Sequence, residues 1–482
     1  MLFVSILLPM LGAALLFGLR PRNKRVCHAL TMLFTLAASA AAAWCVFTPG
    51  DHAMRLIRIT QTLTISFRLD DLGRVFAGMV ALLWPLATLY AFEYMAHEGG
   101  ENHFFGFYLL SYGVTLGIAF AEDLMTLYVF YELLTLATLF LVMHGMKPHG
   151  VHAGRKYVYY MLGGAALAFI TLVVVTHYAG AADFTYGGMR GLMSAPLSVV
   201  LPLFVMGFLG FGAKAAVFPL HSWLPTAGVA PTPVTALLHA VAVVKAGVFA
   251  VIRMGYFTFS PDMVRGTWAH AVCLVLAMVS ILYGSGMAVR EPHMKRRLAY
   301  STMSNLSYVL LGAMMLTPEG LKGGLLHMVY HALMKITLFS CVGAIMVQTG
   351  RKYVDGMRGL GKKMPFIMGV YLFAALALTG IPPLVGFQSK WSLASAAVSL
   401  GGWMGIASVC VLLLSAVLTA IYMLVPAISA YVLPLEKPAL PNQSYDPGWR
   451  MKTPLLILCV IMLVLIAASQ PLADFLGLAA GL

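Results

Sequence analysis

Apolar runs long enough to cross a lipid bilayer recur along the whole chain, and they restrict it to one class of fold. A run of about 18 or more apolar residues is typical of a transmembrane helix, because lipid offers no hydrogen-bond partners to an open backbone. Of the 482 residues, 61% are hydrophobic and 10% are charged, and the mean hydropathy is +0.88. These values predict an all-α polytopic membrane protein, not a soluble domain.

We predict fourteen spans, and two of them are irregular. They cover residues 2–19, 26–47, 74–94, 103–121, 124–144, 156–178, 197–218, 232–255, 268–288, 298–316, 321–347, 364–400, 403–432 and 453–470. The span 364–400 is too long for one straight crossing and contains TGIPPLVGF, so we expect a broken helix there. FPLHSWLP, at the end of the seventh span, would either extend or interrupt that span.

Lysine and arginine predict the orientation. Loops that follow odd-numbered spans carry 19 basic residues, and loops on the other side carry 8. Basic residues collect on the cytoplasmic side, so both termini are expected outside the cytoplasm. These loops also account for the net charge of +14 without any nucleic-acid partner. The first apolar run has no basic segment before it and is followed by RPRNKR, which favours a retained helix over a cleaved signal.

The cysteine pattern predicts no cofactor on this chain. Six cysteines stand far apart, and none forms a C-x-x-C pair or lies near a histidine at metal-ligand spacing. We therefore expect neither an iron–sulfur cluster nor structural zinc, and no metal site. The sequence also contains no nucleotide-binding loop and no haem ligand set.

Charged residues inside the predicted spans are the most informative pattern. They are Glu132, Lys214, Lys245, Lys335 and Lys390. Each costs roughly 2.5–3.5 kcal/mol near the membrane centre, and together they cost about 12–17 kcal/mol, as much as a whole domain's net stability. Helix contacts or snorkelling would explain one lysine near a span end. They explain Lys245, Lys335 and Glu132 poorly.

The use of lysine instead of arginine predicts that these sites titrate. By our count none of the remaining basic residues within spans is an arginine. A guanidinium cannot lose its proton in a protein, whereas a desolvated lysine can. One glutamate and several lysines can therefore exchange protons when one partner moves.

Histidines extend this series. His327, His331 and Lys335 are spaced i, i+4 and i+8, which places them on one stripe of the eleventh span. His239 and Lys245 are six residues apart, so they would face two sides of the eighth helix. The spacing of His327 and His331 also suits zinc, but the nearby lysine and the lack of a carboxylate argue against a metal.

Helix breaks divide the chain. Lys214 precedes Pro219, and Lys390 follows Pro382 and Pro383, so each predicted break has its own lysine. Breaks in corresponding halves mark ion sites in transporters with inverted repeats. We predict an N-terminal three-helix segment (1–100), two five-helix repeats of opposite orientation (101–255 and 256–432), and a C-terminal loop with the last helix (433–482).

Several motifs resemble those of a known family. KAAVFPLHSWLPTAGVAPTPVTALLHAVAVVKAGVFAVIR, RRLAYSTMSNLSYVLLG, LLHMVYHALMKITLFSCVGA and GIPPLVGFQSKW occur in that order. They resemble the antiporter-like subunits of respiratory complex I, of Mrp-type cation/proton antiporters and of energy-converting membrane-bound hydrogenases. The resemblance covers about residues 70–430. It implies fourteen helices with two inverted five-helix repeats.

The resemblance also implies residue roles. Glu132 and Lys214 match the family's coupled ion pair, Lys245 its central lysine and His239 the polar neighbour in the same motif. His327, His331 and Lys335 match the polar group of the eleventh helix, and Lys390 matches the terminal site of the twelfth. TAGV, residues 226–229, departs from the family, which commonly has an acid and a histidine there. The GIPPLVGFQSKW form is closer to hydrogenase-type and Mrp-type members, and the early end of the chain argues against the most distal complex I subunit.

These observations predict an ion-translocating, proton-pumping subunit of a redox-driven complex in a prokaryotic inner membrane. The expected partners are related membrane subunits, peripheral iron–sulfur subunits, the lipid bilayer and H⁺, with Na⁺ left open. No redox centre is expected on this chain, so any oxidoreductase activity would belong to the complex. Two alternatives remain: a subunit of an Mrp-type Na⁺/H⁺ antiporter without redox chemistry, and an inert membrane scaffold of a redox enzyme.

Overall fold

The structure, a computed structural model, is a mostly helical protein and describes residues 1–48, 50, 53–60, 63–180, 182–228, 230–435 and 445–482. The first part forms α1 (Leu2–Leu19), α2 (Lys24–Phe47), β1 (Ala53–Arg58), β2 (Thr64–Arg68), α3 (Asp71–Met95), α4 (Glu101–Ala119), α5 (Leu124–Val142) and α6 (Pro148–Ala179). The middle part forms α7 (Leu197–Gly212), α8 (Trp223–Ala227), α9 (Thr232–Ala240), α10 (Val243–Ile252), a π-helix (Arg253–Thr258), α11 (Pro261–Val264), α12 (Trp268–Arg290) and α13 (Met294–Met314). The last part forms α14 (Pro318–Thr349), α15 (Pro365–Thr379), α16 (Val385–Leu400), α17 (Gly402–Val432), α18 (Trp449–Ala467) and α19 (Ser469–Ala480).

Burial separates central helices from peripheral ones. Within the described residues, ten helical segments are long and apolar enough to cross a membrane, as expected for a polytopic membrane protein. One of them joins α9, α10 and the π-helix and is 100% buried, whereas α18 is only 28% buried. The other central element is α14, which packs against α3, α9, α13, α15 and α16. Polar groups on these helices are therefore surrounded by protein, where they can find partners.

The predicted helix interruptions are present. Residues 380–384, which include Pro382 and Pro383, separate α15 from α16. After α7 the chain leaves helical geometry for residues 213–222 before α8 begins, so FPLHSWLP interrupts the seventh span. Lys214 consequently lies in a turn and not within a helix.

The all-α expectation is wrong in one place, because a hairpin joins α2 to α3. β1 and β2 pair antiparallel, with Ala53 opposite Arg68 and Arg58 opposite Thr64. β1 is exposed throughout, while the middle of β2 is buried. The segment is rich in Ile and Thr, which favour strands, and it is too short and too polar to cross a membrane.

The eighth span is broken as well, which we did not predict. α9 ends at Ala240 and α10 starts at Val243, with Val241 at φ −125° and ψ −51°. No glycine or proline marks this break. The sequence AVAVV combines β-branched residues that are weak helix formers, and tertiary contacts decide where the helix gives way.

Our count of basic residues also misplaced Arg253, which belongs to the buried eighth segment. Arg253 is 1% exposed, and its Nη2 lies 2.6 Å from Asp70 Oδ1, with a second hydrogen bond from Nη1 to Oδ2. An arginine thus lies within the buried eighth segment. It forms a two-bond ion pair, the geometry for which a guanidinium is suited.

Candidate ion-translocation site

Glu132 and Lys214 form an ion pair at the first interruption. Glu132 lies in α5, Lys214 follows α7, and the distance from Nζ to Oε1 is 3.5 Å. Lys214 is 1% exposed and Glu132 is 24% exposed. The ammonium also donates a hydrogen bond to the carbonyl oxygen of Tyr131 and lies over the Tyr131 ring. A buried cation is therefore held by one carboxylate that keeps some access to the surface.

A glycine in α10 allows the Lys214 turn to pack closely. A Cβ on Gly247 would lie 2.5 Å from the backbone nitrogen of Ala215 and 2.9 Å from Lys214 Cβ. Backbone cannot yield as a flexible side chain can, so any larger residue would displace the turn. Gly247 is close to Lys245 in the same helix. One short helix thus positions two of the predicted lysine sites.

Lys245 contacts the histidine stripe of α14. Its Nζ lies 2.9 Å from His331 Nδ1 and donates to the Met328 carbonyl oxygen at 3.0 Å. Lys245 and His331 are both 0% exposed. The two groups are within direct proton-transfer distance.

His327 continues from His331 towards α16. The two imidazole ring centroids are 6.0 Å apart, and His327 Nδ1 lies 2.9 Å from Ser389 Oγ. Ser389 directly precedes Lys390. The Tyr308 ring lies between the two sites, with its centroid 5.2 Å from that of His327 and 5.6 Å from Lys390 Nζ. The structure therefore places four titratable side chains in one continuous row, in the order Lys245, His331, His327 and Lys390.

Lys390 is held at the second interruption. Its Nζ donates to the carbonyl oxygens of Leu378 and Thr379 at 2.8 and 2.9 Å, at the C-terminal end of α15. The last carbonyls of a helix carry partial negative charge and favour a cation. The helix break thus supplies Lys390 with acceptors that a continuous helix would keep for itself.

His239 and Lys335 do not contact this row of side chains directly. His239, in α9, stacks on Phe339 with ring centroids 4.8 Å apart, and neither of its ring nitrogens has a hydrogen-bond partner among the described residues. Lys335 turns away from the two histidines and donates to Ser301 Oγ at 2.7 Å and to the Leu298 carbonyl oxygen at 3.2 Å, both on α13. Lys335 therefore forms a branch, although it shares a helix stripe with His327 and His331.

Charge balance distinguishes the lysines. In the described part of the chain, Lys214 has a carboxylate at ion-pair distance, whereas Lys245, Lys335 and Lys390 have only neutral partners. No group of three or more His, Cys, Asp or Glu side chains that could hold a metal occurs among the same residues. The Nε2 atoms of His327 and His331 also have no partner there. Unpaired buried groups of this kind are suited to exchange protons and poorly suited to stabilise a fold.

Comparison with known proteins supports the resemblance seen in the motifs. Residues 121–419 match the family described as NADH:quinone oxidoreductase/Mrp antiporter, TM, and residues 57–105 match that described as NADH-ubiquinone oxidoreductase (complex I), chain 5 N-terminus. The chain is 33% identical to the NADH-quinone oxidoreductase subunit N of Desulforudis audaxviator over 424 residues, 83% of this chain and 81% of the relative. The chain belongs to the complex I/Mrp antiporter superfamily.

Other members of the superfamily differ in how much of their length is matched. Hydrogenase-4 component B of Escherichia coli is 31% identical over 345 residues, which is 68% of this chain but 50% of the relative. A chain in the structure of the Mrp complex from Dietzia sp. DQ12-45-1b has a TM-score of 0.87 with 24% identity, covering 99% of this chain and 52% of that one. The chain thus spans about half of some relatives, and the Dietzia comparison shows a shared fold.

The loop that departs from the superfamily pattern is only partly described. Thr226 lies in α8 and donates from Oγ1 to the Ser222 carbonyl oxygen at 3.0 Å. Val229 lies outside the described residues. The described part of TAGV thus contains a threonine that is hydrogen-bonded locally.

Sequence reasoning missed the neutral groups that surround the charges. Ser301 Oγ joins Lys335 to the Tyr422 hydroxyl at 2.9 Å, and Ser389 and Tyr308 connect His327 with Lys390. Hydroxyl residues are common in membrane helices, so composition alone does not single them out. Lys295 lies between the predicted spans 268–288 and 298–316, yet it is 4% exposed and donates to the Ala230 carbonyl oxygen at 2.8 Å.

Proposed function

We propose that this antiporter-like subunit translocates protons within a multisubunit, redox-driven complex. Ion-translocating, antiporter-like subunits are the class to which the superfamily match assigns the chain. The observation that supports proton transfer is the 2.9 Å contact between Lys245 and His331 in the fully buried centre. A lysine and an imidazole at this distance can share one proton, and neither has a carboxylate partner among the residues that the structure describes.

The proposed route follows the observed contacts from Lys245 onward. A proton enters from the cytoplasmic side near Lys214, whose charge Glu132 stabilises. The proton passes to Lys245 and from there to His331 and His327. It then passes Ser389 to Lys390, from which it leaves on the non-cytoplasmic side. His239 and Lys335 exchange protons with this route from the sides. Loss of the Glu132–Lys214 contact would destabilise the charged lysine and push the proton onward.

The proposed membrane arrangement has fourteen crossings with both termini outside the cytoplasm of a prokaryotic cell. The ten apolar segments are joined in this count by α4, α7, α13 and the α15–α16 pair. The domain limits remain 1–100, 101–255, 256–432 and 433–482, with the second and third as inverted repeats. The two interruptions support this division, because each carries one lysine, Lys214 and Lys390.

Partner subunits would supply the energy. Moving one charge against 100 mV costs about 2.3 kcal/mol, and the sequence carries no motif for a redox centre or a nucleotide. We assign the drive to peripheral iron–sulfur subunits and expect related membrane subunits beside this one. The names of the relatives, a quinone oxidoreductase subunit and a hydrogenase component, support this assignment.

The decisive experiment replaces the ion pair in the native complex. We expect Glu132→Ala and Lys214→Ala to abolish proton uptake into inverted membrane vesicles while the complex still assembles. Lys322→Ala, which removes a lysine at the start of α14 outside the route, should leave uptake unchanged and serves as the control. Normal uptake in the Glu132 and Lys214 variants would contradict the route and favour the inert scaffold.

A second candidate is a subunit of an Mrp-type antiporter that exchanges Na⁺ for H⁺. The shared fold with the Dietzia Mrp complex and the family description favour it. Copurification separates the two candidates. Iron–sulfur absorbance with cysteine-rich subunits would support redox drive, and a complex of hydrophobic chains with Na⁺-driven uptake would support exchange.

A further inference from the structure

A basic cavity lies where α1 turns into α2. It measures about 330 Å³ and is lined by Arg20, Arg22 and Lys24 together with residues 99–103 at the start of α4. By the orientation that the basic loops predict, this end of the helices faces the cytoplasm. A recess of this charge at a membrane surface is suited to an anionic headgroup.

The cavity has two cations without a carboxylate partner. Lys24 is neutralised by Glu101 at 2.8 Å, and nearby Lys147 lies 3.4 Å from Glu98. Within the described residues, Arg20 and Arg22 form no ion pair, and Arg20 uses only its Nε, which donates to the Phe17 carbonyl oxygen at 3.2 Å. The remaining guanidinium N–H groups are exposed, and such groups bind phosphate oxygens in pairs.

An apolar cavity adjoins the basic one. It measures about 380 Å³, shares Gly99, Gly100 and His103 with the first, and is lined by Phe107 and Phe140. The rings of Phe107 and Phe140 stack with centroids 4.4 Å apart.

The apolar surface continues along α5 towards the membrane interior. Phe140 is 52% exposed, Leu136 58% and Leu133 40%, and their spacing places them on one helix face. That face extends roughly 10 Å from Phe140 at a rise of 1.5 Å per residue. The headgroup cavity thus adjoins an exposed apolar face of α5 that runs in the direction of a lipid tail.

We propose that this site binds one anionic phospholipid. The guanidinium groups of Arg20 and Arg22 hold the phosphate, and one acyl chain lies beside Phe107 and Phe140 along the exposed face of α5. Free phosphate would fill only the basic cavity, because it has no acyl chain. A zwitterionic lipid would bring a second cation close to the two arginines, which is unfavourable. The proposal is independent of the ion that the subunit moves.

The test uses the intact complex and photoactivatable phosphatidylglycerol, with photoactivatable phosphatidylcholine of the same chain length as comparison. We expect phosphatidylglycerol to label peptides of α4 and α5, and phosphatidylcholine to label them far less. Arg20→Gln with Arg22→Gln should reduce labelling about tenfold, since two charge-assisted contacts are lost. Phe140→Ala should reduce it as well.

Matched variants control for general effects. Arg55→Gln with Arg58→Gln removes two exposed arginines of β1, and Phe169→Ala removes an exposed phenylalanine of α6; neither should change labelling. Equal labelling by both lipids, or unchanged labelling in the arginine variant, would overturn the proposal. So would displacement by inorganic phosphate with no effect of Phe140→Ala, or absence of label because a neighbouring subunit covers this face.

Discussion

At the scale of single residues, Lys245 can show whether proton transport needs a group that releases its proton or only a positive charge. Arginine keeps the positive charge but cannot release its proton. We expect Lys245→Arg to block proton uptake in vesicles even where the complex assembles. The matched control is Arg253→Lys, which lowers stability at the buried ion pair but should leave uptake per assembled complex near normal. Uptake at the normal rate in Lys245→Arg would show that charge alone suffices.

Tyr308 provides a second test at this scale, because its ring lies between His327 and Lys390. A cation over an aromatic face gains about 0.5–2 kcal/mol, so losing the ring should slow the step through Lys390 by about 2- to 30-fold. Tyr308→Phe keeps the ring and should retain most activity, whereas Tyr308→Leu should show this reduction. The measurement is the initial rate of proton uptake. Equal rates in the two variants would remove Tyr308 from the route.

At the scale of elements, the Asp70–Arg253 pair ties the start of α3 to the π-helix after α10. Burial raises the pKa of Asp70, but the charge of Arg253 and the hydrogen bonds that Asp70 accepts from Arg253 and from the Gly73 N–H lower it by more. The net pKa lies below the ordinary value of 3.8. The pair therefore stabilises the fold fully above pH 3.8, and this contribution is lost as the pH falls through the folded-state pKa.

We expect Asp70→Asn to destabilise the protein by about 3 kcal/mol at neutral pH, since it leaves a buried guanidinium unpaired. In the unmodified chain, protonation of Asp70 at low pH lowers the stability. Asp70→Asn has no such group, so its stability should fall less as the pH is lowered. Thermal unfolding of the detergent-solubilised chain at several pH values measures both effects. Asp262→Asn, which alters an exposed pair with Arg265, should change little. Unchanged stability of Asp70→Asn would mean that burial of Arg253 needs no partner.

At the scale of the whole molecule, the orientation can be tested by labelling. One variant carries Arg25→Cys and a second carries Arg58→Cys, and the two introduced cysteines lie on opposite sides of the predicted membrane. A membrane-impermeant thiol reagent should label Arg58→Cys in intact cells and Arg25→Cys only in inverted vesicles. The unmodified chain serves as the blank for its own cysteines. The reverse pattern would invert the route and place Lys390 on the cytoplasmic side.

The agreement between sequence and structure is uneven for a physical reason. Membrane spans, the break at Pro382 and Pro383, and the chemistry of Glu132 and the intramembrane lysines follow from local composition, because lipid penalises open backbone and buried charge at any position. No glycine or proline marks the break at Val241 and Ala242, and the β-branched residues there only weaken the helix. Its position is decided by tertiary packing, with α9 against α14 and α10 against α7 and α13.

The sequence by itself determined the membrane class, the superfamily and the set of titratable residues. Only the tertiary structure decided which of them meet. Helix spacing places Lys335 beside His331 on one stripe, yet Lys335 bonds to Ser301 while His331 contacts Lys245. A stripe limits a side chain to one face of its helix, but the neighbouring helix supplies the partner. Which helices are neighbours is decided by packing between segments far apart in the chain.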